Sequence, residues 1–321
     1  MAELATIATS HDGVDDLVAV TKAVGDRLRA NILRALKEDS FGVLELCHIF
    51  ATPQPALSHH LKVLHQAGLV TRRREGNSIF YRRSSDPEDQ LRTALFAACD
   101  DLELEGAMKT LLREVHEQRR LRSEEFFANF ADKFRDKQAL ISEAHVYAPT
   151  VMDLIHHYDV GTTTALDIGP GDGELLHLLA ERFTRVVGID SSKAMLQRTA
   201  ERVQNLNNVL LLKKEFTALP RSRKYHGVVA AMVVHHMAAP QLFFQQAHRI
   251  IETGGLLVVV ELCRHSQTWA QEACGDLWLG FEPSELIDWA GLTGFETGEP
   301  QYLAQKNGFR IQIHGFVSRN P

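Results

Sequence analysis

The stretch Asp167-Ile168-Gly169-Pro170-Gly171-Asp172-Gly173 sets a carboxylate and three glycines between an apolar run, TALDI, and a segment of helical spacing, GELLHLLAERF. Glycines at such a turn let the backbone come close to a ligand. A second acid, Asp190, closes the next apolar run about 20 residues on, the position that suits the paired hydroxyls of a ribose. Ser191 follows it. The glycines fall at 169, 171 and 173, which departs from the GxGxxG spacing of dinucleotide sites. Asp167 would also put a carboxylate where a pyrophosphate has to sit. A nucleoside without phosphate, ending in a zwitterionic amino acid, suits these residues better.

Two further sets could do chemistry. His235 and His236 close a later apolar run, GVVAAMV. Imidazole titrates near neutral pH, so the pair could act as general base or orient a substrate. A structural role, with one ring against a sheet and the other at a pocket mouth, stays open. Near the other end of the chain, Gln54, Ser58, His59 and Lys62 share the polar side of PQPALSHHLKVLHQA, opposite Leu57, Leu61 and Leu64. Arg72, Arg73 and Arg74 follow. Hydrogen-bonding groups on one helix face with a basic block behind them can read bases and neutralise phosphates. The four cysteines, Cys47, Cys99, Cys263 and Cys274, are scattered and form neither a disulfide framework nor a CxxC metal site. Cys47 and His48 are adjacent on a helix and point about 100° apart, so they do not easily share an ion. No metal is expected.

The elements that must hold these groups fall into two sets. In the first, residues 24–37 repeat apolar side chains at helical spacing, and a second short helix is predicted over 43–50. Thr52-Pro53 reads as a cap with proline at the first helical position, and Gly68 as the stop of that helix. Residues 70–74 and 78–83 then form a basic hairpin around Glu75-Gly76-Asn77. The whole is a winged helix-turn-helix. Residues 87–143 hold little glycine and read as a helical connector with dimerisation helices. Within it Phe126, Phe127, Phe130 and Phe134 make one stripe, expected to lie as a helix over the next domain's pocket. From residue 164 strands (164–168, 185–189, 208–212, 227–233, 256–262) alternate with helices, the pattern of an α/β domain with a doubly wound, mostly parallel sheet. Lys306-Asn307-Gly308 signals a hairpin, so a final antiparallel strand is expected.

The 321 residues suit more than one domain, and the predicted division is 1–86, 87–143 and 144–321. A hydrophobic share of 45% with 24% charged residues excludes wholesale disorder. The net charge of −6 is uneven: residues 1–83 carry 11 basic against 9 acidic side chains, the rest 24 against 32. Charge divided in this way suits a nucleic-acid-binding part joined to one with another task. No apolar run approaches the ~18 residues of a membrane span, and the acidic start MAELATIATSHDGVDD is unlike a signal peptide. A cytoplasmic protein without a membrane partner is expected.

In GDRLRANILRALK, QPALSHHLKVLHQAGLV and REGNSIFYR the sequence resembles the ArsR/SmtB family of bacterial repressors, over about residues 15–85. The resemblance implies a homodimer that binds a palindromic double-stranded operator and releases it on binding an effector. Arsenic-sensing members carry a thiol pair flanking one residue before the recognition helix, where this chain has Glu45-Leu46-Cys47-His48-Ile49, so the effector is sought elsewhere.

Residues 144–317 resemble class I S-adenosylmethionine (SAM) methyltransferases, a Rossmann-like fold. LDIGPGDG is similar to that family's first motif, with Asp167, Gly169, Gly171 and Gly173 near the methionyl part; Asp190 and Ser191 match the ribose end. KKEFTALP matches the loop where Glu215 and Phe216 border adenine, and VVHHM the strand end that faces the substrate. Tyr225-His226 and Thr253 depart from the usual Phe-Asp and Pro. The loop of amino-group DNA methyltransferases and the Pro-Cys pair of cytosine-carbon enzymes are missing from the sequence, so DNA modification is not expected. Two functions then stand side by side: a regulator that takes SAM or S-adenosylhomocysteine (SAH) as effector, or a small-molecule methyltransferase fused to a DNA-binding head.

Overall fold

The computed structural model describes residues 12–37, 39–76, 78–84, 89–130, 140–237 and 239–319, the side chains of 128–130 and 272 excepted. The chain divides into two compact units, residues 1–117 and 118–321.

The first unit opens with α1 (Asp12–Val24) and α2 (Arg27–Ala35). The helix predicted over 24–37 is thus α2, which starts three residues later, because Val24 closes α1. Asp26 accepts from the Arg29 N–H at 3.0 Å and caps α2. Next come β1 (Phe41–Gly42), α3 (Val43–Phe50), α4 (Gln54–Gln66) and the hairpin of β2 (Val70–Glu75) and β3 (Ser78–Arg83). The cap of α4 differs from the sequence reading. Pro53 is the N-cap residue, and the Thr52 hydroxyl donates to the Phe50 carbonyl at 2.9 Å instead. Gly68, at φ +64°, terminates α4 in the left-handed region, which glycine enters without a Cβ penalty. Leu57, Leu61 and Leu64 bury the inner face of α4 against Leu33, Phe41 and Leu46. α5 (Gln90–Asp100) and α6 (Gly106–Phe130) follow, and α6 contains residues of both units.

In the second unit the helix Ala144–His157 leads into β4 (Thr164–Ile168), β5 (Arg185–Asp190), β6 (Val209–Lys213), β7 (Tyr225–Ala231) and β8 (Ile251–Leu262). β9 (Phe295–Thr297), β10 (Gln301–Ala304) and β11 (Arg310–Ser318) complete one sheet of order β10-β11-β8-β7-β4-β5-β6, with β9 also on β11. Pairs among β4 to β8 are parallel, and β11 runs antiparallel to β8, as the hairpin signal predicts. Helices such as Glu174–Arg182, Lys193–Val203 and Pro240–Ile250 connect the parallel strands. Val186, Val228, Leu257, Val258 and Val259 are buried, as expected for strands covered on both faces. The carboxyl ends of β4, β5 and β7 therefore lie side by side, and loops placed there form the crevice of such sheets.

Candidate functional site

Asp167, the penultimate residue of β4, is 1% exposed. Its Oδ2 has no hydrogen-bond partner, a costly state for a buried oxygen. Burial, and then the charge of Asp190, push its pKa up to about 7. The loop after it takes positive φ at Gly169 (+64°) and Gly171 (+53°), and Gly169 N–H donates to the Ile189 carbonyl at 2.9 Å. A Cβ at Gly169 would stand 2.7 Å from Val233 Cγ2, so only glycine fits there.

Asp167, Gly169 and Gly171 line one cleft with Glu143, Tyr147, Glu174 and Met232. Met232, just past β7, holds φ +55°, an uncommon conformation for a side-chain-bearing residue and one that turns the chain along the cleft floor. Gly173 does not line the cleft. It caps the helix Glu174–Arg182 at φ +80° and packs toward Thr199 and Val203. Asp190 ends β5 and accepts from the Ser192 N–H at 2.7 Å. Burial raises its pKa to about 6 against the backbone bonds that lower it, and the Glu215 charge adds to the rise. These couplings tie Asp167, Asp190 and Glu215 into one acidic row across three strand ends. Ser191 is half-buried beside Asp190, and Phe216 is buried against Phe243, ring centroids 5.2 Å apart.

The histidines occupy a separate place. His235 is 3% exposed, and its Nδ1 donates to Glu261 at 2.6 Å. Its Nε2 lies 3.6 Å from Asp276. Burial alone would lower its pKa, but the Glu261 and Asp276 carboxylates outweigh it and hold it up to about 9. Half-buried His236 donates from Nδ1 to the Gly275 carbonyl at 3.1 Å. Burial and the His235 charge keep its pKa well below the ordinary value. Phe127 meets His236 edge-on at 5.1 Å, and Phe126 fills the space where a Gly275 Cβ would point. That half of the aromatic stripe therefore covers the histidines and is absent from the cleft lining. The Phe130 side chain and Phe134 lie outside the described residues.

In the first unit Gln54, Ser58, His59 and Lys62 are all exposed along α4. The arginine block separates. Side chains alternate along β2, so Arg72 and Arg74 are exposed while Arg73 turns inward to an ion pair with buried Glu75.

Residues 26–72 match the family model described as "Bacterial regulatory protein, arsR family", and residues 165–255 the "Methyltransferase domain" model. An uncharacterised HTH-type transcriptional regulator of Methanocaldococcus jannaschii is 43% identical over 63 residues, 19% of this chain and 71% of that one. This chain joins an ArsR-family DNA-binding domain to a methyltransferase domain. An uncharacterised transposon protein of Streptomyces fradiae is 30% identical over 157 residues, 47% of this chain, which spans only 45% of that relative. Among solved structures, 1,6-didemethyltoxoflavin-N1-methyltransferase of Burkholderia thailandensis has the same fold as the methyltransferase domain. It superposes at TM-score 0.54 with 16% identity, covering 64% of this chain and 91% of its own, and its structure contains SAH.

Sequence reasoning missed several residues of the methyltransferase domain. Glu143 and Tyr147 reach the cleft from the helix before β4, and Glu261 and Asp276 flank His235 from β8 and the segment after Cys274. Only the acid at the end of LLVVVEL was visible as a strand-end charge. Asp276 carries no local pattern. No described helix is long and apolar enough to cross a membrane.

Proposed function

We propose that this protein is a DNA-binding regulator whose methyltransferase domain takes SAM or SAH as its effector. The observation that carries the reading is the buried, unpartnered Oδ2 of Asp167 in the cleft floor. A buried carboxylate without a donor calls for a cationic ligand group, and the α-ammonium of either nucleoside supplies one. Gly169 and Gly171 give the methionyl chain close access to backbone. Asp190 has acceptor capacity left for the two ribose hydroxyls, with Ser191 beside it and Glu215 and Phe216 at the adenine end. When SAM is bound it supplies an electrophilic methyl group. The Burkholderia enzyme's bound SAH agrees with this choice of ligand.

Support for sensing over turnover comes from His235. Its ring is buried with a carboxylate at each nitrogen, so neither nitrogen is open to take a proton from a substrate. An active small-molecule methyltransferase remains the second reading, favoured by the cleft with Asp167 and Asp190 both in place. On the DNA side, Gln54, Ser58, His59 and Lys62 would meet base edges while Arg72 and Arg74 hold phosphates, in a homodimer on a palindromic operator.

Calorimetry of the whole chain with SAM and with SAH tests the reading. Saturable 1:1 binding of either nucleoside supports it, and heats no larger than dilution reject it. A methyl-acceptor screen with SAM that yields stoichiometric SAH moves the assignment to the enzyme.

A further inference from the structure

Beside the nucleoside cleft lies a second cluster that the proposed function does not use. His235, His236 and Asp276 each offer one ligand atom, and these atoms lie within 4.8 Å of one another. Among the described residues no other group of three or more His, Cys, Asp or Glu side chains converges in this way. Three features go beyond proximity. Nδ1 of His235 is engaged by Glu261, and Nδ1 of His236 by the Gly275 carbonyl, so in both rings the other nitrogen, Nε2, is the one left for a ligand. An imidazole whose far nitrogen donates to a carboxylate or carbonyl is the usual state of a metal-ligating histidine. Asp276 is 4% exposed, yet neither of its carboxylate oxygens has a hydrogen-bond partner. Among the described residues its ion-pair partner is the His235 imidazole, 3.6 Å away.

Charge points the same way. Glu261 and Asp276 bring two buried carboxylates to one site, and a divalent cation is a counter-charge that a low-dielectric interior favours. The backbone holds the ligands in place. Leu277 and Trp278 N–H both donate to the His235 carbonyl at 3.1 Å, pinning the segment that bears Asp276 against the end of β7. Gly275, at φ +78°, makes that turn possible, with Phe126 packed where a side chain would go.

We propose that His235, His236 and Asp276 form a binding site for one borderline divalent transition-metal ion, zinc being the natural probe, with Glu261 positioning His235. Zinc–nitrogen bonds of ~2.0–2.1 Å set neighbouring ligand atoms roughly 3.3 Å apart on a tetrahedral ion. The His235–Asp276 pair is already near that separation at 3.6 Å, so the closure falls mainly on His236. The ion takes the place of the His235 Nε2 proton, which leaves to solvent. Two histidines and one carboxylate leave at least one coordination position open, so the site has room for an oxygen ligand besides the protein.

The test uses the full chain, stripped with chelator and titrated with Co²⁺, whose visible ligand-field bands report nitrogen and carboxylate ligation at low coordination number. One Co²⁺ per chain with visible bands that Zn²⁺ bleaches is the expected result. Glu261→Gln should weaken binding about 10–100-fold, the range for a group that only orients a ligating histidine. Asp276→Asn and His236→Gln should weaken it further. Bands of unchanged strength and midpoint in the Asp276→Asn/His236→Gln double variant overturn the proposal, as does a wild-type chain that binds Co²⁺ without visible bands. If a variant loses its fold by circular dichroism, X-ray absorption of the wild-type zinc form decides. Imidazole scattering from two rings supports the site, and an all-oxygen shell overturns it. Nucleoside binding is not part of either readout, so this site can fail while the SAM or SAH reading stands.

Discussion

Asp167 and Asp190 meet two opposed demands. Burial raises the pKa of both, to about 7 and about 6, while a nucleoside with a cationic tail needs at least Asp167 ionised. Affinity for SAH should therefore rise with pH through this range, level off above about pH 8, and fall about tenfold per unit below 7, as measured by calorimetry. Asp167→Asn should flatten the profile; a profile as steep as wild type would place the titration elsewhere. Stability runs in the opposite sense. Both folded-state pKa values lie above the unfolded ones, so the two groups favour folding most below about pH 4, and that contribution is lost as pH rises through 6 to 7. The ligand-free domain should melt lower at pH 8 than at pH 6, and saturating SAH should recover more of the loss at pH 8. Asp190→Ala should cost about 2–3 kcal/mol of nucleoside affinity, roughly 30- to 150-fold, by removing a charge-assisted contact to the ribose. Affinity unchanged in that variant would mean the acid on β5 does not meet the ribose.

The elements divide between those that local patterns reveal and those that only tertiary contacts create. α4 and the strands β4 to β8 were legible because apolar spacing, stop signals and strand length agreed. α1 was not, since Val14, Leu17 and Val18 remain exposed and the break before α2 depends on one side-chain bond from Asp26. Of the nucleoside site, the glycine loop and both acids could be found from spacing. Glu143 and Tyr147 could not, because a separate element brings them in, and neither could Asp276 of the histidine cluster. Alternation along β2 was also within reach, and it separates the arginines by role. Arg72→Ala and Arg74→Ala should each weaken operator binding and lower the salt slope by about 0.9 if one phosphate contact is lost. Arg73→Ala should leave the slope intact and lower the melting temperature, because it removes an ion pair to buried Glu75. The reverse result would place Arg73 on the phosphates. In the cofactor loop, Gly169→Ala must hold alanine at φ +64° and press a methyl 2.7 Å from Val233. A loss of about 1–3 kcal/mol in stability, with weaker nucleoside binding, is expected on thermal unfolding. A neutral substitution would show that the loop is free to move.

At the scale of the whole molecule, the proposed effector role requires one chain to couple nucleoside occupancy to DNA binding. Such coupling is a free energy shared by the two sites, so operator must change nucleoside affinity by the factor with which nucleoside changes operator affinity. A value of ~1–3 kcal/mol, or roughly 5- to 150-fold, is usual. α6, which contains residues of both compact units, is the covalent route by which a change in one can reach the other. The most direct measurement is the fluorescence anisotropy of a labelled operator, selected from random duplexes with the full chain. It is titrated with protein alone, with saturating SAM and with saturating SAH at fixed salt. At least one nucleoside should shift the operator Kd by about 5-fold or more. Three coincident titration curves, in a protein that calorimetry shows to be nucleoside-bound, would contradict the effector role and leave the fused enzyme in its place.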